Sequence, residues 1–165
     1  MKKLATLLVI LLATFTFVNA QKSPAVKAES ANVTVEYGQP SKRGRVIFAT
    51  EGTQSLEKYG KVWRTGANGC TKITFKKDGM FGGKAVKAGT YGLFTIPGEK
   101  DWTVILNSDS KQWGAYDYKA DKDVLRVTVP AKANKALVEA MTIKVSDTSL
   151  DYMWDMAGFS VPVKF

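Results

Sequence analysis

The densest group of chemically capable side chains in the sequence is Tyr59-Gly-Lys-Val-Trp-Arg-Thr-Gly-Ala-Asn68. Arg64 offers a planar fork for a carboxylate, a phosphate or a uronic acid, and Asn68 adds a donor and an acceptor. Gly66 would let backbone N–H groups approach a ligand. A structural account of the same residues pairs Arg64 with Glu36 or Asp155 and uses Gly66 and Asn68 for a positive-φ turn. That account leaves Trp63, beside Arg64, unexplained. A second group, Gln112-Trp-Gly-Ala-Tyr-Asp-Tyr118, gathers Trp113, Tyr116 and Tyr118 around Asp117. Aromatic faces beside polar groups are what sugar rings require, since a ring's C–H face stacks and its hydroxyls hydrogen-bond. As a strand this segment would put Tyr116 and Tyr118 on one face, with Trp113 and Asp117 on the other.

Composition removes other chemistries. The 165 residues contain no His and one Cys, Cys70. Histidine-assisted nucleophiles, imidazole metal sites, an internal disulfide and a thiolate zinc site are therefore excluded. Carboxylates remain, and a two-carboxylate glycosidase drawing on Glu36, Asp117, Glu139, Asp151 or Asp155 is formally open. Fifteen acids always allow some pair, however, and sequence does not set a separation. The acidic stretches at Asp121-x-Asp123 and Asp147 to Asp151 lack the Asp-x-Asp-x-Asp-Gly spacing of a calcium loop and read as turn starters. No metal and no cofactor is expected.

The elements that must carry these groups are strands. Asn32-Val-Thr-Val-Glu-Tyr37 alternates apolar and polar residues, and the same two-residue period returns in 45–48, 72–75, 91–96, 102–106, 124–129, 141–145 and 159–163. Asp78-Gly79, Gly82-Gly83, Pro97-Gly98, Asn107 to Ser110 and Ala157-Gly158 punctuate them. Short strands with turns between them predict a single antiparallel β-sandwich, jelly-roll-like, over residues 32–165. Pro162 places the last strand at a sheet edge or a bulge. Ala131 to Ala140 has helix-favouring residues but is interrupted by Asn134, and reads as a helix or as a loop into the strand at Met141. Trp102, Tyr152, Trp154 and Phe159 belong to alternating runs and are expected in the core. Trp63, Trp113, Tyr116 and Tyr118 lie in less regular segments and are expected at the surface.

At the N-terminus, Lys2 and Lys3 precede an apolar run from Leu4 to Val18 that ends in Val18-Asn19-Ala20. This is the pattern of a signal peptide spanning residues 1–20 and cleaved after Ala20, which implies a periplasmic or secreted protein. The run is short for a membrane span, no later segment approaches one, and no cysteine follows it to carry a lipid. Residues 21–31, small and polar with Pro24, read as a flexible leader. With 24 Lys+Arg against 15 Asp+Glu the chain is basic, but its lysines are scattered. In an exported protein that charge meets lipid headgroups and acidic glycans, and no nucleic acid is expected as a partner.

The series Val35 to Ser41, Tyr59 to Asn68, Lys87 to Gly98, Trp102 to Asn107, Trp113 to Tyr118, Asp123 to Val127 and Ser160 to Val163 resembles the bacterial envelope family called domain of unknown function 2911. The resemblance covers nearly all of the expected mature chain and implies an exported β-rich domain with no established activity. It marks the two segments chosen above as family motifs. Two departures stand out: Gly69-Cys70 follows Asn68 where the family places an acid, and Gly38-Gln39 replaces a more basic pair. An acid acting there as a general base or metal ligand would be missing from this chain.

These readings lead to a non-catalytic binding module for a glycan or anionic envelope component. Trp63, Arg64 and Asn68 would form one side of its site, and Trp113, Tyr116 and Tyr118 would stack. The competing expectations are a carboxylate-dependent hydrolase and a structural or protein-binding module. The burial of Arg64 distinguishes them. Sequence does not set the oligomeric state.

Overall fold

The computed structural model describes residues 22–165, so the expected signal peptide lies outside the described residues. Alternating side chains put apolar groups on one face of each strand, and two such sheets bury those faces against each other. The larger sheet runs in the order β1 (Ala25–Glu29), β2 (Val33–Gly38), β5 (Ala67–Phe75), β8 (Gly89–Ile96), β9 (Asp101–Asn107) and β10 (Asp123–Pro130), antiparallel throughout. The smaller sheet has the order β11 (Lys132–Val145), β12 (Ser149–Lys164), β6 (Gly79–Phe81) and β7 (Lys84–Val86). Two short strands, β3 (Phe48–Ala49) and β4 (Glu57–Lys58), pair in parallel within the excursion between β2 and β5. A 3-10 turn at Ala120–Lys122 is the one helical element among the described residues, and no helix there is long and apolar enough to cross a membrane.

The core lies between the sheets. Val33, Val35, Ile73, Phe75, Leu93, Trp102, Val104 and Leu106 face inward from the larger sheet, and Met141, Ile143, Leu150, Tyr152, Trp154, Phe159 and Val161 from the smaller. In β12 the inward parity switches from even residues (150, 152, 154) to odd ones (159, 161, 163). The switch falls where Asp155 takes a φ of 53° and the register against β11 shifts, so a bulge restores the apolar face to the core. Pro162 falls between the two ladders of β12, since β11 pairs as far as Gly158 and β6 pairs from Val163. Its missing N–H therefore costs little.

Two expectations are corrected. Residues 25–29 of the supposed leader form β1, whose backbone pairs with β2 from Ala25↔Gly38 to Glu29↔Thr34. An edge strand needs only backbone and one inward apolar side chain, and Val26, packed on the core, supplies it. The segment Ala131 to Ala140 is neither helix nor loop but the first half of β11, paired to β12 at Lys132↔Gly158, Ala133↔Ala157 and Val138↔Asp155. Tertiary pairing overrides helix propensity here, and Asn134 fastens the segment by donating to the carbonyls of Asp155 and Ala157 at 3.1 and 2.9 Å.

Candidate functional site

The outer face of the larger sheet divides into two parts. Over β5, β8 and β9 the loop 108–119 closes down on a small apolar cluster of Cys70, Phe94 and Ile105 with Val62, Ile96, Ala115 and Tyr118. Gly92 makes that closure feasible. A Cβ at this position would lie 2.9 Å from the Asp109 carbonyl oxygen, 2.9 Å from Cys70 Sγ and 2.8 Å from the Phe94 ring. Burial pushes the Cys70 thiol up to about 12, which leaves it a protonated, unreactive core group. Over β1, β2 and β5 the face stays open.

That open part is a groove of about 490 Å³. Its floor carries a cross-strand row, Lys27 opposite Glu36 opposite Lys72, together with Gly38, Ala67, Asn68 and Gly69. Its wall is Ser110 to Trp113. Gly69 leaves space for the Trp113 ring, whose Cε3 lies 4.0 Å from where a Cβ would stand, and 60% of Trp113 remains exposed. An exposed indole thus stands against Gly69 at the side of a floor that carries charged side chains. Lys27 is engaged by Glu29 at 2.8 Å, a hydrogen bond that raises its pKa above the ordinary value. Lys72 and Lys111 make no ion pair among the described residues and are free to meet an anion.

Of the six residues singled out in the sequence, the groove unites Asn68 and Trp113. Asn68 adopts a φ of 64°, a conformation Asn tolerates, and its Nδ2 donates to the Ser23 carbonyl at 2.9 Å. Trp63 is a core residue, 2% exposed, stacked on Trp154 at 5.9 Å and edge-on to Phe48 and Tyr152. The two-residue period continues through the glycine-containing motif and turns Trp63 inward, where its N–H and carbonyl exchange hydrogen bonds with Thr95. Tyr116 is 82% exposed but is not part of the groove wall. Tyr118 is a clamp: its ring packs on Phe94 at 5.1 Å, its hydroxyl donates to Asp123 at 2.6 Å, and it accepts from Arg126 at 2.8 Å. Burial, then the hydrogen bond to Asp123, pushes its pKa up to about 12. The segment 112–118 is a loop turning at Gly114 (φ 64°), so its aromatics diverge where a strand would have aligned them.

Arg64 fits neither of its two expected roles. Asp155 pairs with Lys42 at 2.7 Å, and Glu36 stands between lysines. The half-buried Arg64 side chain reaches beneath the aromatic loop, with Nη1 3.5 Å from where a Gly114 Cβ would be and the Tyr116 ring 3.2 Å from the same point. Its buried Nε has no hydrogen-bond partner. Gly66 serves close packing and does not open a path to a ligand, because a Cβ there would lie 2.8 Å from Thr71 Oγ1 and 3.0 Å from the Gly38 carbonyl. The positive φ expected at Gly66 is taken by Thr65 (53°), a strained position for a β-branched residue. Hydrogen bonds from Thr65 Oγ1 to Thr95 and from Thr71 Oγ1 to the Thr65 carbonyl hold it.

The carboxylates do not assemble into a pair in the groove, which offers Glu36 alone. Glu57, on β4, is the carboxyl that its surroundings keep protonated to higher pH: burial pushes its pKa up to about 7, with the Arg64 charge opposing. The Tyr152 hydroxyl, fully buried and without a hydrogen-bond partner, feels the charges of Glu57 and Asp155. Ser55 and Lys58 approach to 3.0 Å, but Ser55 Oγ donates to the Glu57 carbonyl, so the pair clips a turn and does not prepare a nucleophile. Among the described residues no three His, Cys, Asp or Glu side chains gather as metal ligands. Sequence reasoning missed Lys27, Lys72 and Lys111. The outward parity of Lys72 beside Glu36 was a usable signal for one of them.

A family model described as a protein of unknown function (DUF2911) matches residues 20–163. No curated protein and no solved structure matches the chain.

Proposed function

The chain belongs to this family of unknown function, and from its own surface we propose that it is a non-catalytic binding module for a glycan or an anionic component of the cell envelope. The observation that carries the reading is Trp113, its indole exposed beside Gly69, with the uncommitted ammonium groups of Lys72 and Lys111 lining the same groove. A sugar ring lies on the indole face, a carboxylate or other acidic substituent meets the lysines, and Asn68 Oδ1 supplies a polar partner. The groove is open to solvent, which suits a ligand that extends beyond it better than an enclosed small molecule. Export of the protein, expected from residues 1–20, would bring it to such ligands.

A carboxylate-dependent hydrolase requires two acids flanking one bond. Glu36 in the groove is flanked by Lys27 and Lys72, and Glu57 is held apart from it in the β3–β4 excursion.

The test is a thermal-shift and calorimetric screen of the protein against peptidoglycan fragments, neutral oligosaccharides and acidic oligosaccharides, with Trp113→Ala and Lys72→Met in parallel. Ligand at about 100 times its dissociation constant stabilises the native state by about 2.7 kcal/mol. The expected result is a melting-temperature rise with at least one sugar class that is lost in Trp113→Ala. Lys72→Met should weaken acidic ligands more than neutral ones. No rise with any of these sugars, or a rise that survives Trp113→Ala unchanged, overturns the reading and leaves a structural or protein-binding role.

A further inference from the structure

Beside the groove lies a second, smaller cleft of about 140 Å³, lined by Ser23, Pro24, Gln39, Ser41, Arg43 and Arg45. We propose that this cleft is a binding site for a single tetrahedral oxyanion, a phosphate or a sulfate group. It presents two guanidinium groups and two hydroxyls, and no carboxylate lines it. The carboxylates that bond to this turn are engaged by it, Asp155 by Lys42 Nζ at 2.7 Å and Glu139 by the Arg43 backbone N–H at 2.7 Å.

The turn that carries the arginines is rigidly built. Arg43 and Gly44 take successive positive φ values of 49° and 70°. Lys42 Nζ donates to the Arg45 carbonyl at 2.7 Å, and the Lys42 backbone N–H donates to the Glu139 carbonyl at 2.8 Å. The Arg45 guanidinium is aimed by its own hydrogen bonds, Nε to the Lys42 carbonyl at 3.0 Å and Nη2 to the Ser41 carbonyl at 2.6 Å, which leave its remaining N–H groups for a ligand. The Arg43 side chain and the Ser23 and Ser41 hydroxyls make no hydrogen bond among the described residues. Gln39 closes the cleft, its N–H bonded to the Pro24 carbonyl and its Nε2 to the Met141 carbonyl. The Arg45 donors, held in place before a ligand arrives, lose little entropy when it binds, and guanidinium forks match phosphate and sulfate oxygens. At ~30 Å³ per water the space equals a few water molecules, enough for one oxyanion and too small for a run of sugar rings.

The cleft stands without the groove reading. One hydrogen bond joins the two, from Asn68 Nδ2 in the groove to the Ser23 carbonyl at the cleft. A groove ligand that extends past Asn68 toward Ser23 would bring an acidic substituent to Arg43 and Arg45, and this last step rests on the groove reading.

The experiment titrates the 15N-labelled protein with inorganic phosphate, and separately with sulfate, at ionic strength held constant with sodium chloride. The amides of Ser23, Gln39, Ser41, Arg43 and Arg45 are followed. Saturable shifts confined to these residues are expected, weakened about tenfold in Arg43→Gln by loss of a charge-assisted contact and unchanged in Trp113→Ala. Arg43 is the chosen position because its side chain supports no internal contact, whereas Arg45→Gln could loosen the turn. Shifts that do not saturate, or that Arg43→Gln leaves untouched, overturn the site. A second arm assigns the source of the anion. Preference for a sulfated over an unsulfated oligosaccharide, lost in Arg43→Gln, supports a glycan substituent. Co-sedimentation with phosphatidylglycerol vesicles but not phosphatidylcholine vesicles, lost in the same variant, supports a lipid headgroup. Oligosaccharide binding that survives Trp113→Ala but loses its sulfate preference in Arg43→Gln would sink the groove reading and keep the cleft.

Discussion

The two faces of the larger sheet are built by the same alternating strands and meet opposite demands. The inner face is closed and aromatic, with Trp102 and Trp63 packed against Tyr152, Trp154 and Phe159, and Phe75 against Phe81. The outer face is closed only where loop 108–119 lies on it, and elsewhere presents the Lys27, Glu36, Lys72 row to solvent. The Trp-Arg-Thr-Gly-Ala-Asn motif crosses from one to the other. Its Trp63 belongs to the inner face, its Arg64 lies under the aromatic loop, and its Asn68 is on the groove floor. A motif read as one site therefore runs from the core to the face proposed for binding, and its positions should separate when mutated.

The largest separation is expected at Trp63→Ala. Removing a fully buried indole stacked on Trp154 leaves a cavity between the sheets and should cost about 3–5 kcal/mol in urea or guanidinium unfolding. A loss below about 0.5 kcal/mol, the usual range of surface changes, would break the comparison, because Trp63 would then not be part of the core in solution.

Next comes Gly92→Ala, which acts on the border between the closed and open parts of the outer face. The added methyl would sit 2.8–2.9 Å from Phe94, the Asp109 carbonyl and Cys70 Sγ. Overpacking of this kind costs about 1–3 kcal/mol. It should also lift residues 108–113 away from the sheet, so Trp113 fluorescence and any groove ligand should report a change that Trp63→Ala does not produce at equal stability.

A smaller effect sharpens the inner side by pH. Burial holds Glu57 protonated up to about 7, whereas its unfolded-state value is 4.5. Between those values the folded state keeps a proton that the unfolded state has released, so stability falls as pH rises from 4.5 to about 7 and is level above it. Allowing for partial exposure and for Arg64 nearby, the loss is on the order of 1–2 kcal/mol. Glu57→Gln removes the titrating group. The variant should be more stable than the parent at pH 8 and equal to it near pH 4, and denaturation midpoints across that range would show it. A parent whose stability is flat over the same window would refute burial of the carboxyl.

Strand positions were legible because a two-residue period with β-branched and aromatic residues leaves few alternatives, as at Val33, Val35 and Tyr37. The sandwich followed from the number and shortness of such runs. The site was only half legible. Trp63 sat among glycines, which hid the alternation that turns it inward, and its burial depends on Thr95, distant in sequence. Tyr118 is taken from the surface by Asp123 and Arg126, whose relation to it is set by the turn at Ala120–Lys122 and not by any period. Lys27 was overlooked because residues 25–29 have the composition of a leader, and only the pairing with β2 gives them a face. In each case the missing information was a long-range or irregular contact.

The smallest expected effect on stability is at Trp113→Ala, and it is the one that tests the comparison most directly. Trp113 and Trp63 are the same residue type in two family motifs, but one is 60% and the other 2% exposed. The groove-side indole covers only Gly69 and little of the apolar cluster, so its removal leaves no enclosed cavity. Surface truncations of this kind stay within about 0.5 kcal/mol. The same truncation removes the stacking face of the groove, and an aromatic contact of this type is worth about 0.5–1.5 kcal/mol beyond its buried area. Trp113→Ala should therefore unfold at the parent's midpoint while losing the oligosaccharide binding proposed for the groove. A variant that instead loses several kcal/mol would show that the 108–119 loop is clamped by Trp113 as the core is by Trp63, and the outer face would have to be read as scaffold throughout.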